Sequence, residues 1–228
     1  MHWSKLAIAV LVLALTAGYT AAAPQPIPAP APRFVVVLDA AHGGDDTGAH
    51  LDSGQLEKAV NLTLNVRLRS LLSARGIQVV TTRESDSSVA LDKRAEIANH
   101  AKAGACLSLH ASESGAGIHL FASSLPPAQP ARFTAWKTAQ AASVTRSLAL
   151  AGILNSALAH AGLNVTLGRT ALPAVDSMTC PAIAVEIAPE RGDDNKILSE
   201  PDNPDYQARV ALALAAAIVQ WRSEARQP

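Results

Sequence analysis

Cysteine is almost absent: the 228 residues hold two, Cys106 and Cys180. That count and spacing exclude a zinc–thiolate cluster. Each cysteine lies in or just ahead of an apolar segment (105–109 and 183–187), where a free thiol packs as a small hydrophobe. Because a bridge demands a specific geometry, the expectation is two packed free thiols. Aromatics are also scarce, at 4%, so the 49% hydrophobic fraction must build its core from Ala, Leu, Val and Ile. Net charge is missing altogether, with 19 basic residues against 19 acidic ones. The clustered positive surface that nucleic-acid binding requires is therefore not signalled. No internal repeat is visible. No apolar run reaches the roughly 20 residues that a membrane span needs.

An apolar run of secretory length, residues 6–15, follows Lys5 and precedes Ala21-Ala22-Ala23. Charge, length and small residues at the cut make residues 1–23 a signal peptide, with Pro24 disfavouring cleavage directly after Ala23. No stable membrane insertion is expected after cleavage. Residues 24–32 alternate proline with small or apolar residues, a polyproline spacer of roughly 25–30 Å. The folded domain is expected over residues 33–228, enough chain to bury a substantial core.

Within it, residues 34–38 are an apolar, mostly β-branched run with no alternation, the mark of a strand buried on both faces. Residues 57–74 carry Val60, Leu64, Leu68, Leu71 and Leu72 on one stripe, as in an amphipathic helix, and Gly76 stops it. A strand at 77–82, a polar loop at 83–88, a helix at 91–103 and a buried strand at 105–109 follow. Residues 118–121 read as a strand nearer the edge, 143–161 as a helix, 183–187 as a buried strand and 206–221 as an Ala/Leu-rich helix. Residues 162–177 are mixed. Strand alternating with helix is the rhythm of a largely parallel sheet covered by helices: the fold class is α/β. In the proline-punctuated stretch 123–141, Phe133 and Trp136 are expected to staple the loop to the body.

Three strands end in chemistry-bearing residues. The first runs into His42 ahead of Gly43-Gly44, the third into His110 and the last into Glu186. Parallel strands present their carboxyl ends along one edge of the sheet, where ligands gather. His42 alone reads equally as a metal ligand or base and as a loop histidine beside a glycine turn. Glu57 opens the first helix, either as a ligand or as a carboxylate favoured by the helix dipole. Together, His42, Glu57 and His110 would be two imidazoles and a carboxylate, a catalytic zinc set with the fourth position left open. Glu186 follows Pro-Ala-Ile-Ala-Val, so burial is expected, and a buried carboxylate is costly unless partnered. His50, His100, His119 and His160 have weaker cases. His100 and His160 fall near helix ends, and His119 alternates outward on its strand. Asp39 either orients a ligand imidazole or closes the turn.

Five ordered blocks carry a family resemblance: Val36-Val37-Leu38-Asp39-Ala40-Ala41-His42-Gly43-Gly44; Leu56-Glu57-Lys58-Ala59-Val60-Asn61-Leu62; Thr82-Arg83-Glu84-Ser85-Asp86 with residues 91–99; Leu107-Ser108-Leu109-His110-Ala111-Ser112; and Pro181-Ala182-Ile183-Ala184-Val185-Glu186-Ile187. Over residues 34–221 the chain resembles the zinc-dependent N-acetylmuramoyl-L-alanine amidases of the amidase-3 type. The resemblance implies a three-layer α/β/α sandwich with a mostly parallel mixed sheet. It implies Zn2+ held by His42, Glu57 and His110, with Glu186 as the catalytic carboxylate. The implied substrate is peptidoglycan, cut at the amide between N-acetylmuramic acid and L-alanine in the periplasm or extracellular cell wall. A protein regulator remains unidentified. The alternatives are a zinc peptidase cutting within the stem peptide and a non-catalytic cell-wall binding module of the same fold. Ala41, Ser112 and Ala188-Pro189 depart from the family pattern, the last beside Glu186, where the loop would shape substrate entry. The 123–141 stretch is short for an occluding insertion, so an open site is expected.

Overall fold

The computed structural model describes residues 33–129 and 135–225. The expected signal peptide and linker, and Phe133, lie outside the described residues. Six strands form the central sheet: β1 (Val35–Ala40), β2 (Gln78–Thr81), β3 (Ala105–Ala111), β4 (Ile118–Ser123), β5 (Val165–Thr170) and β6 (Ala182–Ile187). Their spatial order is β2-β1-β3-β6-β4-β5. All neighbours pair parallel except β4 and β6, which are antiparallel. The expected mostly parallel mixed sheet is thus observed. Among the described residues five α-helices accompany it: α1 (Glu57–Ser73), α2 (Leu91–His100), α3 (Val144–His160), α4 (Pro173–Asp176) and α5 (Pro204–Glu224).

Handedness sets the layers. From β1 the chain steps outward to β2 through α1, then returns past β1 to β3 through α2. Right-handed crossovers that move in opposite directions must place their helices on opposite faces. Accordingly, Leu64, Leu68 and Leu72 of α1 join α3 and α5 against Val36, Leu38, Leu107 and Leu109. On the other face, Ala95 and Ala98 of α2 and Val175 of α4 pack on Val37, Cys106 and Ala182. The reversal of direction leaves a crevice at the carboxyl ends of β1 and β3, the topological switch point where open α/β sheets place their ligands. His42 and His110 are at those two ends.

Local signals mark the start of α5. Asn203 caps α5, its Oδ1 accepting from the Asp205 and Tyr206 amides at 3.0 Å, and Pro204 occupies the first helical position. Trp221 near the other end donates its indole N–H to the Gly104 carbonyl at 2.9 Å, tying α5 to the sheet. The mixed segment 162–177 resolves into β5 and α4. A small hairpin, β7 (Glu190–Arg191) with β8 (Ile197–Ser199), follows β6. Neither element has enough periodicity to be read from sequence. Among the described residues no helix is long and apolar enough to cross a membrane.

Two expectations fail here. Cys106 and Cys180 are not free thiols but a disulfide with Cα atoms 6.1 Å apart. Cys106 is on β3, and Cys180 precedes β6, which lies beside β3 in the sheet. The Cys106 amide donates to Pro181 O at 2.8 Å. Two residues far apart in sequence meet only because those strands are neighbours. Trp136 does not staple its loop. On a 3-10 helix (Trp136–Ala142) it is 56% exposed, bordering a depression shared with Leu91 and Pro173. Gln140 does the stapling instead. Fully buried, it donates to the carbonyls of Val175, Met178 and Cys180, and accepts from Ser147 Oγ at 2.7 Å.

Candidate metal centre

Glu57 lies at the middle of the site. Its Oε1 is 3.1 Å from His42 Nε2 and 3.0 Å from His110 Nδ1. One donor atom from each of the three residues lies within 4.8 Å of the others. A tetrahedral ion bonded at about 2.0–2.1 Å separates its ligand atoms by roughly 3.3 Å, close to the separation of Glu57 Oε1 from each imidazole nitrogen. The donors themselves, two imidazoles and a carboxylate, are the chemistry a catalytic zinc site uses.

The remaining polar atoms of these ligands have partners. Glu57 Oε2 accepts from the Ala49 amide at 2.9 Å, and Oε1 accepts also from the Ala111 amide at 3.2 Å. His42 Nδ1 lies 2.8 Å from Asp46 Oδ1. Donation from Nδ1–H to Asp46 turns the Nε2 lone pair towards the other ligands. His110 Nε2 is 3.4 Å from Ser108 Oγ, which itself donates to Asp39 Oδ2 at 2.8 Å. Asp39 therefore hydrogen-bonds neither histidine, contrary to the direct orienting role considered for it. It acts on His110 at one remove, through Ser108.

Electrostatics follow from these contacts. Burial alone would raise the Glu57 pKa, but hydrogen bonds from His110, His42 and the Ala49 amide outweigh it and hold the carboxyl well below the usual range. The same bond to Glu57 raises the His42 pKa against the opposing effect of burial, with Asp46 adding to the rise. For Asp46, burial works upwards, but the hydrogen bond from His42 prevails and lowers its pKa.

His42 occupies an unusual backbone position, φ 62°, in which non-glycine residues are uncommon. A ring of side chains closes on its loop. Arg94 donates to the His42 carbonyl at 2.8 Å and to the Ala40 carbonyl at 2.8 Å, while pairing with Asp39 at 2.7 Å. Arg83 donates to the carbonyls of Ala40, Ala41 and Lys58. Asp86 accepts from the Gly44 amide, and Lys58 donates to both Gly44 O and Asp86. Gly48 (φ +64°) crosses directly over the site. A Cβ there would come within 2.5 Å of Glu57 Oε2 and 2.8 Å of His42 Cδ2. The motif residues of the polar segment 82–94 thus act by holding the His42 loop, a role that sequence reasoning missed, along with that of Asp46. Ala41, an apparent departure, fits because its side chain is buried and its backbone does not share the left-handed conformation.

The Asp39–Arg94 pair is almost fully buried, at 2% and 4% side-chain exposure. Asp39 also accepts from Thr82 Oγ1 at 2.7 Å. Asp39→Asn, which removes the charge but little volume, is expected to cost about 1.5–3 kcal/mol, the worth of hydrogen bonds to a charged group. Urea unfolding of the variant measures it.

Glu186 pairs in register with His110 across β3 and β6. Parallel partners put their side chains on one face, so the carboxylate stands beside the proposed metal ligands without being one of them. It is not buried as expected. Its side chain is 31% exposed, while its neighbours Val185 and Ile187, on the opposite face of the strand, are fully buried. His42 and His110 line a cleft of about 270 Å³ with Asp46, Val89, Leu91 and Ala174. His100 and His160 sit in the last turns of α2 and α3, as expected, and His50 is exposed. His119, by contrast, is part of the site's surroundings: its Nδ1 lies 3.7 Å from Glu186. Only the antiparallel pairing of β4 with β6 brings it there, and no sequence signal announces that.

Residues 36–220 match the family model described as N-acetylmuramoyl-L-alanine amidase, Amidase 3. The chain belongs to this amidase family. Among curated relatives, the amidase AmiA of Escherichia coli K12 is 42% identical over 92 residues, 39% of this chain and 32% of that protein. LytC of Bacillus subtilis, also an N-acetylmuramoyl-L-alanine amidase, is 38% identical over 76 residues, 33% of this chain and 15% of its own length. The matches therefore span about a third or less of these relatives. Likeness to solved structures extends further. The catalytic domain of CwlV, the amidase from Paenibacillus polymyxa, superposes with a TM-score of 0.65 at 26% identity, covering 83% of this chain and 98% of that one. The amidase-family fold expected from the sequence is therefore the fold observed.

Proposed function

We propose that this chain hydrolyses the amide joining the lactyl group of N-acetylmuramic acid to L-alanine in peptidoglycan. On this reading His42, Glu57 and His110 hold zinc, and Glu186 moves the proton. The observation that carries it is the convergence of the three donors within 4.8 Å, with Glu186 in register beside His110. Family membership supports the bond and substrate.

Zinc, when bound, supplies Lewis acidity to water and to the amide carbonyl. The protein's own residues do the rest. Asp46 and Ser108 set the ring orientations of His42 and His110, and the Ala49 and Ala111 amides fix the Glu57 carboxylate. Glu186 accepts a proton from the attacking water and returns it to the departing L-alanine nitrogen, which must be protonated to leave. The cleft would let an extended polymer reach His42 and His110 from the side of Val89 and Leu91.

Export of the mature chain, directed by residues 1–23, belongs to the same proposal. The Cys106–Cys180 bridge supports it, since disulfides persist in oxidising compartments. A role in cell-wall remodelling or daughter-cell separation would follow.

Digestion of purified sacculi with and without a chelator tests the activity. The expected products are stem peptides with a free N-terminal L-alanine, absent after zinc removal and restored by added zinc. Peptides cleaved within the stem would indicate the peptidase alternative, and no release at all the binding-module alternative.

Metal affinity should also depend on pH in a defined direction. Protonated imidazole cannot bind a metal, so affinity falls as pH falls. Because the metal-free site raises the His42 pKa, that loss should begin above the ordinary histidine value of about 6.5. Zinc competition titrations with a chromophoric chelator between roughly pH 5.5 and 8 would show it. An affinity that stays level down to about pH 6 would contradict the assignment of His42.

A further inference from the structure

Glu186 has a neighbour on each side. His110 is its register partner on β3, and His119 is its partner on β4. The row His110–Glu186–His119 therefore crosses three adjacent strands on one face of the sheet. We propose that His119 is a positioning residue for Glu186, donating from Nδ1 to hold one carboxylate oxygen so that the other is free for proton transfer. The inference rests on the role proposed for Glu186.

Three features of His119 carry it. The ring is held in place: it packs against Phe121, with centroids 6.2 Å apart, and the chain at Gly115 lies over its outer edge. A Cβ at Gly115 (φ +90°) would stand 2.8 Å from His119 Cε1 and 3.0 Å from Nε2. The Gly115 segment is itself tied down by Arg191, whose Nε donates to the Gly115 carbonyl at 3.0 Å. Second, Nε2 is buried and has no hydrogen-bond partner among the described residues. A neutral imidazole carries one N–H, and a buried N–H without an acceptor is costlier than a bare lone pair. The proton accordingly belongs on Nδ1. Third, the acceptor facing Nδ1 is Glu186 Oε1, at 3.7 Å. That separation is longer than a formed hydrogen bond, and catalytic hydrogen bonds commonly tighten only once substrate is bound. A ring merely filling space would need neither the glycine above it nor a carboxylate beside it.

Three variants separate positioning from packing, because Asn places an amide N–H near the Nδ1 position and Gln places one near Nε2. With a soluble muramoyl-peptide substrate, His119→Ala should lower kcat about tenfold, the effect of losing one hydrogen bond, with KM changed less than about twofold. His119→Asn should recover most of that rate, and His119→Gln should not. In a Glu186→Gln background, His119→Ala should have no further effect, since residues acting as a unit are non-additive. Zinc content should be unchanged throughout, as His119 is outside the ligand set. If His119→Ala proves unstable, the Asn and Gln variants still decide the matter. The proposal is overturned if His119→Ala keeps the wild-type kcat, if Asn and Gln behave alike, or if the His119 and Glu186 effects multiply. Failure of the underlying reading has a different signature: an active Glu186→Gln enzyme.

Discussion

Glu186→Gln is expected to slow stem-peptide release by about 10²–10⁴-fold, the range over which a positioned general acid–base group contributes, while zinc content stays at the wild-type level. The substitution keeps size and hydrogen-bonding shape but removes the ability to hold a proton. Glu186 is not one of the three converging donors, so metal binding should survive. Its side chain, 31% exposed, also carries little of the core, so stability should hardly change. His42→Ala and His110→Ala should behave differently, losing metal and activity together. Metal analysis combined with rates on sacculi distinguishes the two classes. Near wild-type release by Glu186→Gln would sink the proton-transfer role, and loss of zinc by the same variant would make Glu186 a ligand instead.

The second large effect concerns stability. The Cys106–Cys180 bridge closes a loop of 74 residues. Restricting a loop of that size in the unfolded chain is worth about 4 kcal/mol by the chain-entropy relation. Domains of this kind have only about 5–15 kcal/mol in total. Replacing both cysteines by alanine should therefore lower stability in denaturant titrations by about 4 kcal/mol. The thermal midpoint should fall by roughly 8–16 °C, at about 2–4 °C per kcal/mol for a chain of this size. The bridge sits near the amino ends of β3 and β6, whereas His110 and Glu186 are near their carboxyl ends. Whatever fraction remains folded should keep the wild-type kcat. A loss below about 1 kcal/mol would mean that the unfolded chain is already restrained, an effect known to weaken engineered disulfides. Reduction of the wild-type protein should reproduce the double variant.

Much of the candidate site was legible because its residues sit where local sequence character breaks. His42, His110 and Glu186 each follow an apolar run, and Glu57 opens a helix whose buried stripe is plain. Such breaks are local and survive in one dimension. Arg83, Arg94, Asp86 and Lys58 were less legible, since a charged residue in a polar stretch usually faces water. Here Arg83 and Arg94 are buried at 4% and 3% exposure, because the backbone carbonyls of the His42 loop need donors away from solvent.

The sequence by itself determined the α/β class and the aliphatic core, which follow from periodicity and composition. Abrupt changes along the chain picked out His42, Glu57, His110 and Glu186 as candidates, and the family resemblance is what implied their roles as zinc ligands and catalytic carboxylate. Tertiary structure alone decided the disulfide, the indirect path from Asp39 through Ser108 to His110, and the place of His119 next to Glu186. Each depends on which strands are neighbours. Cys106 meets Cys180 because β3 lies beside β6, Ser108 meets Asp39 because β3 lies beside β1, and His119 meets Glu186 because β4 returns antiparallel to β6. Strand order results from packing the whole chain, and no single segment encodes it.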